Sequence, residues 1–198
     1  MTKTRLEAFS DAVIAIIMTI MVLQLSEPKG NTLDSLKPLL PVLLSYVMSF
    51  LYVGIYWNNH HHMIHTVQHV TGGILWANLH LLFWLSLIPF VTRWIGQSGF
   101  AATPSALYGV VLLMSAIAYF ILQTMILRKH GKDSLLARAI GKDIKGKISP
   151  PLYLAAILST FVYEWISIGI YILVSLIWLI PDRRIERVFE EEHRKGEK

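Results

Sequence analysis

Two stretches hold most of the side chains able to titrate, bind a cation or make buried hydrogen bonds. The first is RLEAFSDAVIAIIMTIMVLQL, residues 5–25, in which Arg5, Glu7, Ser10 and Asp11 stand at the mouth of an otherwise apolar run. A carboxylate there is costly unless it is paired, so Asp11 needs donors. Candidates follow in the next apolar blocks: Trp57, Asn58, His60 to His62, Asn78 and His80. Arg5 has the reach to meet a carboxylate or a backbone carbonyl. Such a cluster serves either as glue between helices or as a proton relay. The second stretch, WNNHHHMIHTVQHVTGGILWANLHLLFW, carries six of the eight histidines. His61 and His65 are four apart, as are His65 and His69, and on a helix that spacing suits a metal. The signal is weak, because no Asp or Glu lies between His60 and His80 and no HExxH occurs. A hydrogen-bonded structural cluster is the favoured reading, no bound metal is expected, and histidine titration near neutrality leaves pH sensing open.

The elements that must position these residues are set by composition. Hydrophobic residues make up 54% of the 198 and charged residues 16%, against about 25% charged in a soluble domain. Mean hydropathy is +0.51, and the apolar residues come in long blocks, the pattern of a polytopic membrane protein. The absence of cysteine removes disulfides, thiolate metal sites and cysteine nucleophiles. No phosphate loop, dinucleotide fingerprint or supported Ser/His/Asp arrangement occurs, so an enzyme is not expected. A TVGYG potassium filter and a run of arginines at every third position are also missing, which removes the usual filter and a voltage sensor. The net charge of +5 reads as loop bias, not as a nucleic-acid footprint.

The apolar blocks predict spans at about Thr4 to Ser26, Leu39 to Asn59, Val70 to Ile95 and Ala106 to Leu127, with Pro89 kinking or shortening the third. The first block is too long for a cleaved signal, carries Asp11, and has no small-residue cleavage site. Ser149 to Pro181 is the difficult block. As one helix it would be about 50 Å long, against a hydrocarbon core of about 30 Å. As two helices broken near Glu164 it gives six spans and gathers fifteen of the eighteen Lys/Arg on one side, with Lys29, Lys37 and Arg93 on the other. The positive-inside rule favours that arrangement, with both termini cytoplasmic in a multi-pass protein of the cell membrane. Trp165 and Trp178 suit the interfaces. The expectation is an all-α membrane protein, with a six-helix domain over residues 1–181 and a charged cytoplasmic tail over 182–198.

On a helical wheel, with Ile16 at the origin, Ala12, Thr19, Ile20 and Leu23 fall within roughly 60° of it. Phe9 and Arg5 lie near the same side. Ser10 falls at roughly +120°, Asp11 at roughly −140° and Glu7 opposite. The stripe therefore faces either lipid or a symmetry axis, where a ring of Ile or Leu makes a dewetting constriction and Thr19 adds a hydroxyl ring. The pattern alone does not separate the two.

The stretch 5–25, with its Arg-x-x-x-Phe-Ser-Asp pattern, resembles the first helix of the lysosomal and bacterial potassium channels of the transmembrane protein 175 family. YWNNHHHMIH, WANLHLLFWLSLIPF and LIWLIPDRRIE are similar to bacterial members. The resemblance covers essentially the whole chain. It implies a potassium-permeable cation channel without cofactor, with six spans per repeat and, for a single repeat, a homotetramer in the lipid bilayer that passes potassium and other monovalent cations. It further implies that the first helix lines the pore, that Ile16 is the hydrophobic constriction, that Thr19 supplies the hydroxyl ring, and that Ile20 and Leu23 face the pore. Phe9, Ser10 and Asp11 match the motif that packs behind the pore helix, with Trp57, His61, Asn78 and His80 as partners. Bacterial members discriminate potassium from sodium less strongly than animal ones. Two other readings remain: a proton- or metal-coupled transporter using Asp11 and the His60–His80 cluster, and a membrane interaction module without transport.

Overall fold

The computed structural model describes residues 1–131, 136–137 and 143–179. The described residues are helical, with no strand among them. Helix α1 is Lys3–Leu23, α2 is Leu40–His65, α3 is Gly72–Ser86, α4 is Ile88–Gln97, α5 is Ala102–His130, α6 is Ile144–Ser159 and α7 is Glu164–Leu179. A 3-10 helix, Leu33–Leu39, leads into α2.

Six membrane crossings result. Four segments are long and apolar enough by themselves: Lys3–Leu23, Leu33–His65, Gly72–Gln97 and Ala102–His130. The third is α3 and α4 in line, broken at Leu87, with Pro89 in the first turn of α4. A proline fits there because the first-turn N–H groups have no intrahelical partner. The final apolar block divides as charge bias requires. Helix α6 ends at Ser159, the chain turns through bonds from the Val162 and Tyr163 N–H groups to the Ser159 carbonyl, and α7 starts at Glu164.

Two boundaries differ from the sequence expectation. Helix α2 continues through the histidine run to His65, since polarity on one face does not stop a helix that has neighbours to bind. Helix α5 starts at Ala102, so much of GQSGFAATPS is helical and only a tight turn containing Gly99 and Phe100, both at positive φ, remains. The Trp178 indole N–H donates to Ser149 Oγ at 2.8 Å and so joins α7 to α6. The tail 182–198 and much of the basic loop lie outside the described residues.

Helix α5 is the hub, packed on α3, α4, α6 and α7, while α2 packs on α4 and α7. A buried polar network joins them. Thr92 donates to Ser49 Oγ at 2.7 Å, Ser49 pairs with the Tyr108 hydroxyl at 3.0 Å, Tyr52 donates to the Tyr171 carbonyl at 2.5 Å, and Tyr171 donates to the Ser105 carbonyl at 2.9 Å. Hydroxyls inside a bundle need such partners because neither lipid nor a dry core supplies them. Helix α1 lies at the side of this frame, against α2, α3 and α4.

Candidate pore helix and its anchor

Thr2 caps α1 by accepting from the Arg5 N–H at 3.4 Å. From there α1 has two faces. Leu6, Ser10, Ile14, Ile17 and Met21 are buried against the chain's other helices. Ala12, Ile16, Thr19, Ile20 and Leu23 are all exposed, Ile16 at 55% and Leu23 at 80%. The wheel's stripe is therefore left uncovered by the protein's own fold along the length of the helix. The Thr19 hydroxyl donates to the Ile16 carbonyl at 2.9 Å, which satisfies its donor within the helix.

The buried face is held by side-chain bonds to α2 and α3. Ser10 is wholly buried and donates to the Leu6 carbonyl at 2.9 Å. The Asn78 amide N–H donates to Ser10 Oγ at 2.9 Å, while the Asn78 carbonyl oxygen meets His60 Nε2 at 2.7 Å. Because that oxygen only accepts, Nε2 carries the proton. One chain of hydrogen bonds thus runs from α1 through α3 to α2. Beside it the Trp57 indole donates to Asp11 Oδ1 at 3.1 Å, and His61 Nδ1 lies 3.3 Å from Glu7 Oε1. At the start of the helix Lys3 Nζ donates to the His65 carbonyl at 2.5 Å.

These contacts bring together Ser10, Asp11, Trp57, His61 and Asn78 and leave out three residues expected with them. His80 accepts from the Trp84 indole at 3.0 Å on its own helix and does not meet Asp11. Phe9 is 46% exposed and lies with the stripe, as the wheel has it, instead of packing behind with Ser10 and Asp11. Arg5 is exposed, and among the described residues its guanidinium makes no hydrogen bond or ion pair. Of the candidate histidines, His60 is the buried one, and it reaches the motif through Asn78 and not through Asp11. The metal spacing also breaks down, since α2 ends at His65 and His69 lies beyond it. The His61 and His65 rings are 6.4 Å apart, and among the described residues no three His, Cys, Asp or Glu converge on one point.

The profile of the family described as endosomal/lysosomal potassium channel TMEM175 matches residues 5–89, from the first turn of α1 through α2 and α3 to Pro89 in the first turn of α4. A potassium channel of Chryseobacterium sp. (strain P1-3) is 59% identical over 191 residues, covering 96% of this chain and 100% of its own. The crystal structure of a lysosomal potassium-selective channel TMEM175 homolog from Chamaesiphon minutus superposes with a TM-score of 0.79 at 26% identity, over 90% of this chain and 96% of that one. A Danio rerio protein described as the endosomal/lysosomal proton channel TMEM175 is 27% identical over 118 residues, 57% of this chain and 22% of its own. The channel relatives and the apolar spans make this a multi-pass membrane protein and not an enzyme. The chain belongs to the TMEM175 family of potassium channels.

Proposed function

We propose that four copies assemble around an axis lined by α1, and that potassium and other monovalent cations cross the cell membrane along it. The observation that carries this reading is the uncovered stripe Ala12–Ile16–Thr19–Ile20–Leu23, on a helix whose other face is fixed in rotation by Ser10 and Asp11. Ile16 is the constriction. Its ring sheds water when narrow and conducts when it widens or hydrates. Ser10 and Asp11 hold the helix from behind and do not touch the ion. Residues 1–181 form the channel domain, 182–198 is a solvated tail, and the basic end with both termini faces the cytoplasm.

The test uses the absence of native cysteine. Leu23→Cys provides a unique thiol, and oxidation in membranes should join subunits through it, whereas a cysteine at Ile14, on the anchored face, should not. Potassium-driven flux from liposomes should accompany the correct assembly. Absence of both the cross-link and the flux would sink the pore assignment.

A second reading is proton conduction, favoured by the description of the Danio rerio relative and by the acid–imidazole contact between Glu7 and His61. Dye-reported proton flux without potassium flux would select it. A metal-coupled transporter instead predicts stoichiometric metal in purified protein.

A further inference from the structure

His130, the last residue of α5, holds the turn between α2 and α3 by its ring. Its Nε2 faces two backbone donors, the Gln68 N–H at 3.1 Å and the His69 N–H at 3.4 Å. Its Nδ1 lies 2.9 Å from the Ile126 carbonyl. The partners determine the protonation state. Backbone N–H groups only donate, so Nε2 must be bare, and a carbonyl only accepts, so the ring proton sits on Nδ1. Only the neutral imidazole in that one tautomer makes all three bonds. A proton on Nε2 would abolish the acceptor and point a third N–H at two others.

The turn occupies a sensitive place. It joins the end of α2, which carries His60 and Trp57, to the start of α3, which carries Asn78. Those are the side chains that fix α1 in rotation. Thr71 caps α3 immediately after the turn by accepting from the Ile74 N–H at 3.4 Å. Charged and titratable neighbours at this end are Arg128 and Lys129 on α5, His69 on the turn, and His65 and Lys3 where α2 meets α1. Among the described residues no carboxylate pairs with His130. Histidine is the side chain whose charge ordinarily changes between about pH 5 and 8.

We propose that His130 is a latch that closes only when neutral, so that its protonation frees the α2–α3 turn and loosens the anchor behind α1. The site is distinct from Asp11 and Glu7, and it makes conduction sensitive to pH at the basic end of the bundle. The link to conduction rests on α1 lining the pore; the latch itself does not.

Hydrogen exchange of the full-length protein tests the latch without flux. Between about pH 7.5 and about pH 5.5, protection of the Gln68 and His69 amides, corrected for intrinsic rates, should fall by on the order of tenfold. His130→Gln, which keeps a non-titrating acceptor, should hold its protection across that range. His130→Ala should be unprotected at both. Equal protection in wild type at both pH values, or protection surviving in His130→Ala, overturns the latch. With the latch established, wild-type potassium flux should change across the same range and His130→Gln flux should not; identical pH profiles overturn its role in conduction. Absence of potassium flux in wild type at every pH would instead sink the pore reading, and the exchange result would still decide the latch.

Discussion

At the scale of the residue, the two faces of α1 call for opposite tests. Asn78 is the single side chain that bridges Ser10 and His60. Asn78→Ala leaves the buried His60 N–H without a partner and removes the donor to Ser10 Oγ, which keeps its own bond to the Leu6 carbonyl; the loss costs about 1–3 kcal/mol. A lowered melting temperature of the detergent-solubilised protein should record it. Asp11 is partly exposed, so Asp11→Asn, which still accepts from the Trp57 indole, should be tolerated better than Asp11→Ala, which should impair assembly on size exclusion. On the other face, Ile16→Asn disturbs little within the chain, because Ile16 is 55% exposed. It should leave stability near wild type while raising leak and relaxing ion discrimination in liposome flux, since a polar ring does not dewet. Unchanged flux and selectivity would remove Ile16 from the constriction.

At the scale of the element, close crossings hold the frame on which α1 rests. At Gly96 on α4, an added Cβ would lie 2.8 Å from the Val42 Cα of α2, a backbone atom that cannot swing aside. At Gly109 on α5 it would meet the Tyr171 hydroxyl and Ile157 Cγ1. Gly54, within α2, has nothing within 4 Å of its missing Cβ. Gly96→Ala should therefore destabilise by about 1–3 kcal/mol through overpacking. Gly54→Ala should be neutral or stabilise by up to about 1 kcal/mol, because alanine loses less freedom on entering a helix. Thermal melts of the two variants side by side check the contrast. The spans themselves are legible in the sequence, because apolar length and charge bias are properties of one segment at a time. The extent of α2 is not. The run from His60 to His62 looks like a loop by polarity, and it is helical because Glu7 and Asn78 on other helices take up its rings.

At the scale of the whole molecule, the proposed orientation and assembly follow from how charge and exposure are shared out. The proposed orientation gathers fifteen of the eighteen Lys/Arg of the sequence on the cytoplasmic side, so a fluorescent protein fused to the C-terminus should glow and alkaline phosphatase at the same place should stay inactive. The reverse pattern would invert the orientation. The exposed apolar stripe of α1 and the anchored back face together leave the helix with one free side, and a four-fold assembly is the proposed use for it.

The sequence by itself determined the membrane class, the six crossings, the division of the last apolar block and the two faces of α1. Each depends on periodicity, length or charge counted along the chain. Only the tertiary structure decided which polar groups meet. Asn78 met Ser10 and His60, His80 turned to Trp84 on its own helix instead of meeting Asp11, and His130, an ordinary-looking histidine in a basic last turn, came to hold the backbone of residues 68 and 69. The physical reason is that a hydrogen bond requires two groups within about 3 Å and in line. Periodicity fixes the angle of a side chain about its own helix. The depth, rotation and crossing of one helix against another are set by packing, and those choose the partner.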